Sequence, residues 1–120
     1  MPFHYLLTNL LVDVPQALGA IFVDPEGEAV ELVTRHGDPF DLKVEGAYQG
    51  IFIRQLNSSI DGTEVGTLES FVIEGTELAT LTHLLPDGYY VVLVVDRSAS
   101  RAQALYRLRS AAQVFAEQLA

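Results

Sequence analysis

The groups in this 120-residue sequence best suited to chemistry are three histidines, sixteen acidic residues and a pair of adjacent serines. A metal centre needs its ligands at short spacings that one element can aim together, and a hydrolytic serine needs a sharp glycine-flanked turn. His4, His36 and His83 stand far apart, so each is read as a surface or locally satisfied residue. Asp24, Glu26 and Glu28 crowd one turn, where acids serve solubility and turn geometry. Ser58 and Ser59 close a helical pattern without a nucleophile elbow, and neither Gly19 nor Gly88 belongs to a phosphate-cradling glycine and lysine pattern. With no cysteine there is no disulfide, thiolate zinc site or cysteine nucleophile. We therefore expect no catalytic residue, no metal and no cofactor, and look for function in binding.

Charge narrows the partners. The net charge of −9 argues against nucleic acid, whose phosphates are bound by clustered Lys and Arg. Residues 1–96 hold three basic residues against fifteen acids, whereas the last 24 hold Arg97, Arg101, Arg107 and Arg109 against Glu117 alone. The end of the chain is thus a basic strip on an acidic body, read as a solvated face that pairs with nearby acids. The start lacks the basic residues of a secretory signal, and no apolar run approaches the ~20 residues that span a bilayer. No membrane insertion is expected, and the chain is read as soluble and cytoplasmic.

At 49% apolar and 19% charged, 120 residues suit one compact domain covering 1–120. Its centre is Gly88 to Asp96, where the run Tyr-Tyr-Val-Val-Leu-Val-Val predicts a strand buried on both faces. Each face then needs a cover. Leu105, Leu108, Ala112, Phe115 and Leu119 recur at helical spacing after Ser98, the expected cap, and supply one. Phe40 to Ile60 supplies the other. Phe3 to Val14 is a first helix stopped by Pro15. Ala17–Val23 and Glu28–Arg35 are strands joined by the turn Asp24-Pro25-Glu26-Gly27, the second an edge strand. Thr67–Glu74 and Leu78–Leu84 complete the set. Short turns make consecutive strands antiparallel. The expected fold is α+β: a five-stranded antiparallel sheet with the middle helix on one face and the terminal helices on the other.

The middle helix carries more apolar surface than one sheet face requires. Phe40, Val44, Ala47, Tyr48, Ile51 and Phe52 share one side, and Leu42, Ile53, Leu56 and Ile60 widen it past half the circumference. A second apolar body is implied. Gly46 and Gly50 either admit another backbone or relieve crowding on the sheet.

The order of elements resembles the roadblock/dynein light-chain family, most of all its bacterial MglB-type members. The residues that carry this are Leu18-Gly19-Ala20-Ile21-Phe22-Val23-Asp24-Pro25-Glu26-Gly27, Leu68-Glu69-Ser70-Phe71-Val72-Ile73-Glu74-Gly75, and Leu85 through Val94. The resemblance covers nearly the whole chain and implies a homodimer with a Ras-like small GTPase as partner, whose hydrolysis or switching it modulates. It implies a dimer surface of Val44, Ala47, Tyr48, Ile51 and Gln55 on the middle helix and Glu69, Phe71 and Ile73 on the third strand. It implies no arginine finger, so Arg54 is given no catalytic role. The bulky Tyr48 and Phe52 depart from the alanine that many members carry. Two other readings compete: a passive dimeric scaffold that recruits signalling or motor proteins, and a small-molecule sensor.

Overall fold

A computed structural model describes residues 2–120 as helix α1 (Pro2–Asp13), strands β1 (Ala17–Val23) and β2 (Ala29–Thr34), and helix α2 (Pro39–Ile60). Strands β3 (Ser70–Glu74), β4 (Leu78–Leu84) and β5 (Tyr90–Asp96) and helix α3 (Arg101–Leu119) follow. The strands form one antiparallel sheet in the order β2-β1-β5-β4-β3, with α1 and α3 on one face and α2 on the other. This is the α+β arrangement expected from the sequence.

Alternation along β1 and β5 distributes the two cores. Ala20, Phe22, Val91, Leu93 and Val95 point towards α1 and α3, where Leu7, Leu10, Leu108 and Phe115 meet them. Ile21, Val23, Tyr90, Val92 and Val94 point the other way, towards Leu42 and Ile53 of α2. The run at β5 is buried on both sides, as its composition requires. Four aromatic rings anchor the larger core: Phe22 lies 4.6 Å from Phe3, 5.1 Å from Phe115 and 5.5 Å from Tyr89, centroid to centroid.

Local chemistry fixes the ends of the elements. Asp24 Oδ1 accepts from the backbone N–H of Glu26 and Glu28, closing the β1–β2 turn with Gly27 at φ +87°. Asp38 caps α2 by accepting from the Phe40 N–H, and Pro39 occupies the first turn, where its missing donor costs nothing. The expected cap of α3 moves by two residues: Ser100 accepts from the Gln103 N–H, while the Ser98 hydroxyl donates to Asp96. Either serine satisfies the residue preference for a cap, and the Asp96–Ser98 turn claims the first one. The third strand is also shorter than expected, since pairing with β4 runs only from Ser70 opposite His83 to Glu74 opposite Ala79.

Arg35 joins elements that no pattern of residues connects. Its guanidinium donates to the carbonyls of Leu11 (2.7 Å), Pro15 (2.6 Å) and Ala17 (2.7 Å). One cation therefore satisfies the open end of α1 and ties it to the start of β1 and the end of β2.

Gly46 and Gly50 face the sheet. A Cβ at Gly46 would lie 3.1 Å from Ile21 Cδ1, and one at Gly50 only 2.7 Å from the Tyr90 hydroxyl, which donates to the Gly46 carbonyl at 2.8 Å. Burial pushes the pKa of that phenol up to about 12. The glycines thus relieve crowding on the sheet and do not form a seat for another helix. We expect Gly50→Ala to destabilise the protein by about 1–2 kcal/mol, because displacing Tyr90 outweighs alanine's better helix propensity. In a Tyr90→Phe background the nearest remaining ring atom is 3.5 Å away. There the same change should be neutral or stabilising by up to about 1 kcal/mol. Urea denaturation of the four proteins checks this; an equal cost in both backgrounds would show that the hydroxyl is not the obstacle.

Candidate interaction surface

With Leu42, Gly46, Gln49 and Gly50 turned inward, the opposite side of α2 faces solvent. Val44 is 38% exposed, Tyr48 53% and Ile51 39%, and Phe40, Ala47 and Gln55 are exposed beside them. Positions 44, 48, 51 and 55 fall three and four apart, so these side chains form one continuous stripe. Phe52, expected in the same group, is instead partly buried on the flank of the helix. The arrangement has a physical cause: Gly46 and Gly50 let α2 lie close on the sheet between Leu42, Gln49 and Ile53, and Val44, Tyr48 and Ile51 fall on the far side.

The edge of the sheet lies on the same side. Phe71 pairs with Thr82 and Ile73 with Thr80, and the intervening Leu81 belongs to the core under α1 and α3. Phe71 and Ile73 therefore share the face of α2, with Ile73 40% exposed and Phe71 partly covered. Among the described residues only β4 flanks β3, whose other side offers unpaired backbone donors and acceptors. Glu69, assigned to the third strand from the sequence, precedes it; its carbonyl accepts from the Leu84 N–H.

Between α2 and the β3–β4 half of the sheet lies an open groove of about 630 Å³. It exists because α2 rests on β1 and β2, leaving β4 and β3 without a helix on this face. Val94, Leu42, Leu78 and Ile73 supply apolar surface, and Asp41, Glu45 and Glu77 supply carboxylates. Gln49 holds the helix in place beside it. This fully buried side chain donates to Glu45 Oε1 (3.0 Å) and Thr80 Oγ1 (3.2 Å) and accepts from the Thr82 hydroxyl (2.9 Å). Sequence reasoning located neither the groove nor Gln49. Residues from α2 and every strand line the groove, and a lone glutamine in an amphipathic pattern carries no signal of burial.

The opposite face holds the basic strip. Arg101 pairs with Glu74, Arg97 donates to the Thr76 carbonyl, Arg109 donates to Ser70 Oγ, and Arg107 lies over the Tyr106 ring. Pairing with nearby groups accounts for most of the strip, as expected of a helix face. His83, beneath α3, has its pKa held below the usual imidazole value, first by burial and then by Arg109, with Glu69 acting in the other direction. Among the described residues no three His, Asp or Glu side chains gather as a metal site, and no helix is long and apolar enough to cross a membrane.

No family profile matches the sequence, and no curated protein does. Solved structures do match. A roadblock/LC7 domain from Streptomyces avermitilis superposes with a TM-score of 0.86 at 17% identity, covering 97% of this chain and 96% of that one. Myxococcus xanthus MglB gives 0.85 at 12% identity over 99% and 95% of the two chains. MglC from Myxococcus xanthus gives 0.73 at 20% identity over 98% and 99%. The chain has the roadblock fold.

Proposed function

We propose that this protein is a homodimeric regulator, without an active site of its own, that binds a Ras-like small GTPase and modulates its hydrolysis or switching. The observation that carries the dimer is the exposed stripe Val44, Ala47, Tyr48, Ile51 and Gln55 on the same side of the sheet as the unpaired edge at Phe71 and Ile73. Packing α2 against α2 covers the stripe, and pairing β3 with β3 across a two-fold axis satisfies the edge, with Glu69 at its margin. A single symmetric contact thus answers two separate needs of the protomer. The GTPase rests on the resemblance of the sequence to MglB-type members and on the fold shared with MglB.

The test is to load Ras-like GTPases of the source organism with GTP analogue or GDP and pass each over the immobilised protein. Preferential retention of one nucleotide state is expected, since a regulator must discriminate between states. Equal retention of both would replace regulation by passive recruitment. No retention of either would remove the GTPase and return attention to a small-molecule ligand.

A further inference from the structure

We infer that the β2 edge is a second self-association surface, held shut within each protomer by Glu31, whose carboxylate occupies a backbone donor that the β2 strand of another copy needs. This edge lies at the end of the sheet opposite β3, so it stays accessible whether or not the proposed dimer forms.

Backbone direction comes first. Among the described residues β2 has a strand neighbour, β1, on one side alone. The Arg35 N–H donates to the Leu18 carbonyl at 2.8 Å, and the register continues with Gly19 opposite Thr34 and Ala20 opposite Val33. Amides alternate along a strand, so Arg35, Val33 and Glu31 turn theirs towards β1, and Thr34 and Leu32 turn theirs outward. Val30 is the extra residue of a bulge, because Ala29 faces Val23 while Glu31 faces Phe22. The open template is therefore short, running from Leu32 to Thr34.

One of its two outward donors is already taken. Glu31 Oε1 accepts from the Leu32 N–H at 3.3 Å, and His4 Nδ1 on α1 lies 3.4 Å from the same oxygen. Two elements thus hold the carboxylate over the edge. An incoming strand must displace it before pairing with Leu32.

A second copy is the occupant that fits. Two β2 strands running antiparallel about a two-fold axis at Val33 pair Leu32 with Thr34 twice, which engages the outward donors and acceptors of both residues. That axis keeps α1 on the same face of the sheet in both copies, so the two α1 helices approach side by side. Tyr5 and Val12, seven apart on α1, are each 68% exposed, and His4 beside Tyr5 already meets β2. The contact covers an apolar pair together with the edge. In this register Glu31 faces Arg35 of the second copy, but that guanidinium is engaged by the carbonyls of Leu11, Pro15 and Ala17. No free cation draws Glu31 away from Leu32.

The test is sedimentation velocity across a concentration series. Glu31→Ala and Glu31→Thr remove the carboxylate, and threonine suits a strand, which protects the fold. At the highest concentration both should exceed the wild-type mass by at least about twofold, because contacts at opposite edges build open chains. Glu31→Gln still offers an oxygen to the Leu32 N–H and should keep the wild-type mass. Adding Thr34→Pro, which removes the other outward donor, should return Glu31→Ala to that mass. In an Ile51→Asp background Glu31→Ala should stop at pairs of protomers, which separates this edge from the α2 seam. Wild-type mass for both the alanine and threonine variants would overturn the proposal. So would growth of Glu31→Gln equal to that of Glu31→Ala, which would make charge the barrier, and so would growth that Thr34→Pro leaves intact, as when unfolded chains aggregate.

Discussion

Ile51→Asp is expected to convert the protein to monomers. Ile51 sits near the middle of the exposed stripe on α2, three residues beyond Tyr48 and seven beyond Val44. In a two-fold contact each substitution occurs twice, so two carboxylates would be buried without partners in an apolar seam. One unpaired buried charge costs several kcal/mol, enough to weaken association on the order of a thousandfold. The protomer itself should tolerate the change, because the side chain already meets water. Light scattering across a range of concentrations checks this. The wild type should have twice the 13.1 kDa protomer mass and the variant a single protomer mass. A variant with unchanged dimer mass would remove α2 from the interface, and a monomeric wild type would remove the dimer.

Phe22→Ala should produce the largest loss of stability within the protomer. The side chain is fully buried, and its ring touches those of Phe3, Phe115 and Tyr89, which come from α1, α3 and the turn before β5. Deleting it removes the apolar transfer free energy and leaves a space that three separate elements cannot all close, a cost of about 3–5 kcal/mol. For a domain of this size that corresponds to a fall in Tm of roughly 10–25 °C. Differential scanning calorimetry at fixed protein concentration reads the shift, since association alters Tm. A fall of only a few degrees would mean that the aromatic cluster repacks freely and does not anchor the core.

Residues whose neighbours are close in sequence were the legible ones. Ala17–Val23 and Leu78–Leu84 stand where the apolar runs put them, because a strand of a two-sided core has few other places to bury such residues. The turn at Asp24 to Gly27 was equally readable, since Asp, Pro and Gly each carry a specific backbone preference. The sidedness of α2 was less so. Gly46 and Gly50 fitted a helix seam or a crowded sheet equally well, and the Tyr90 hydroxyl that decides between them lies forty residues further on. The start of β3 was misplaced because Thr67 to Glu69 has strand-like composition, while pairing begins where β4 supplies partners. Gln49 was invisible for a related reason: a polar residue enters a core only when hydroxyls such as those of Thr80 and Thr82 await it, and periodicity does not reveal them.

The strand order also has a consequence for how the chain reaches this state. β1 with β2 is a local hairpin, and β3, β4 and β5 form a local meander, so both can assemble from residues near one another along the chain. Among the strand ladders of the described residues, the one between β1 and β5, from Ala17 opposite Val95 to Val23 opposite Tyr90, joins the two halves of the sheet, and it spans most of the sequence. Closing that loop must come before its hydrogen bonds and its share of both cores reward it. The central seam of the sheet is therefore its kinetic bottleneck: changes along it should alter the folding rate, while changes within either hairpin should fall mainly on unfolding.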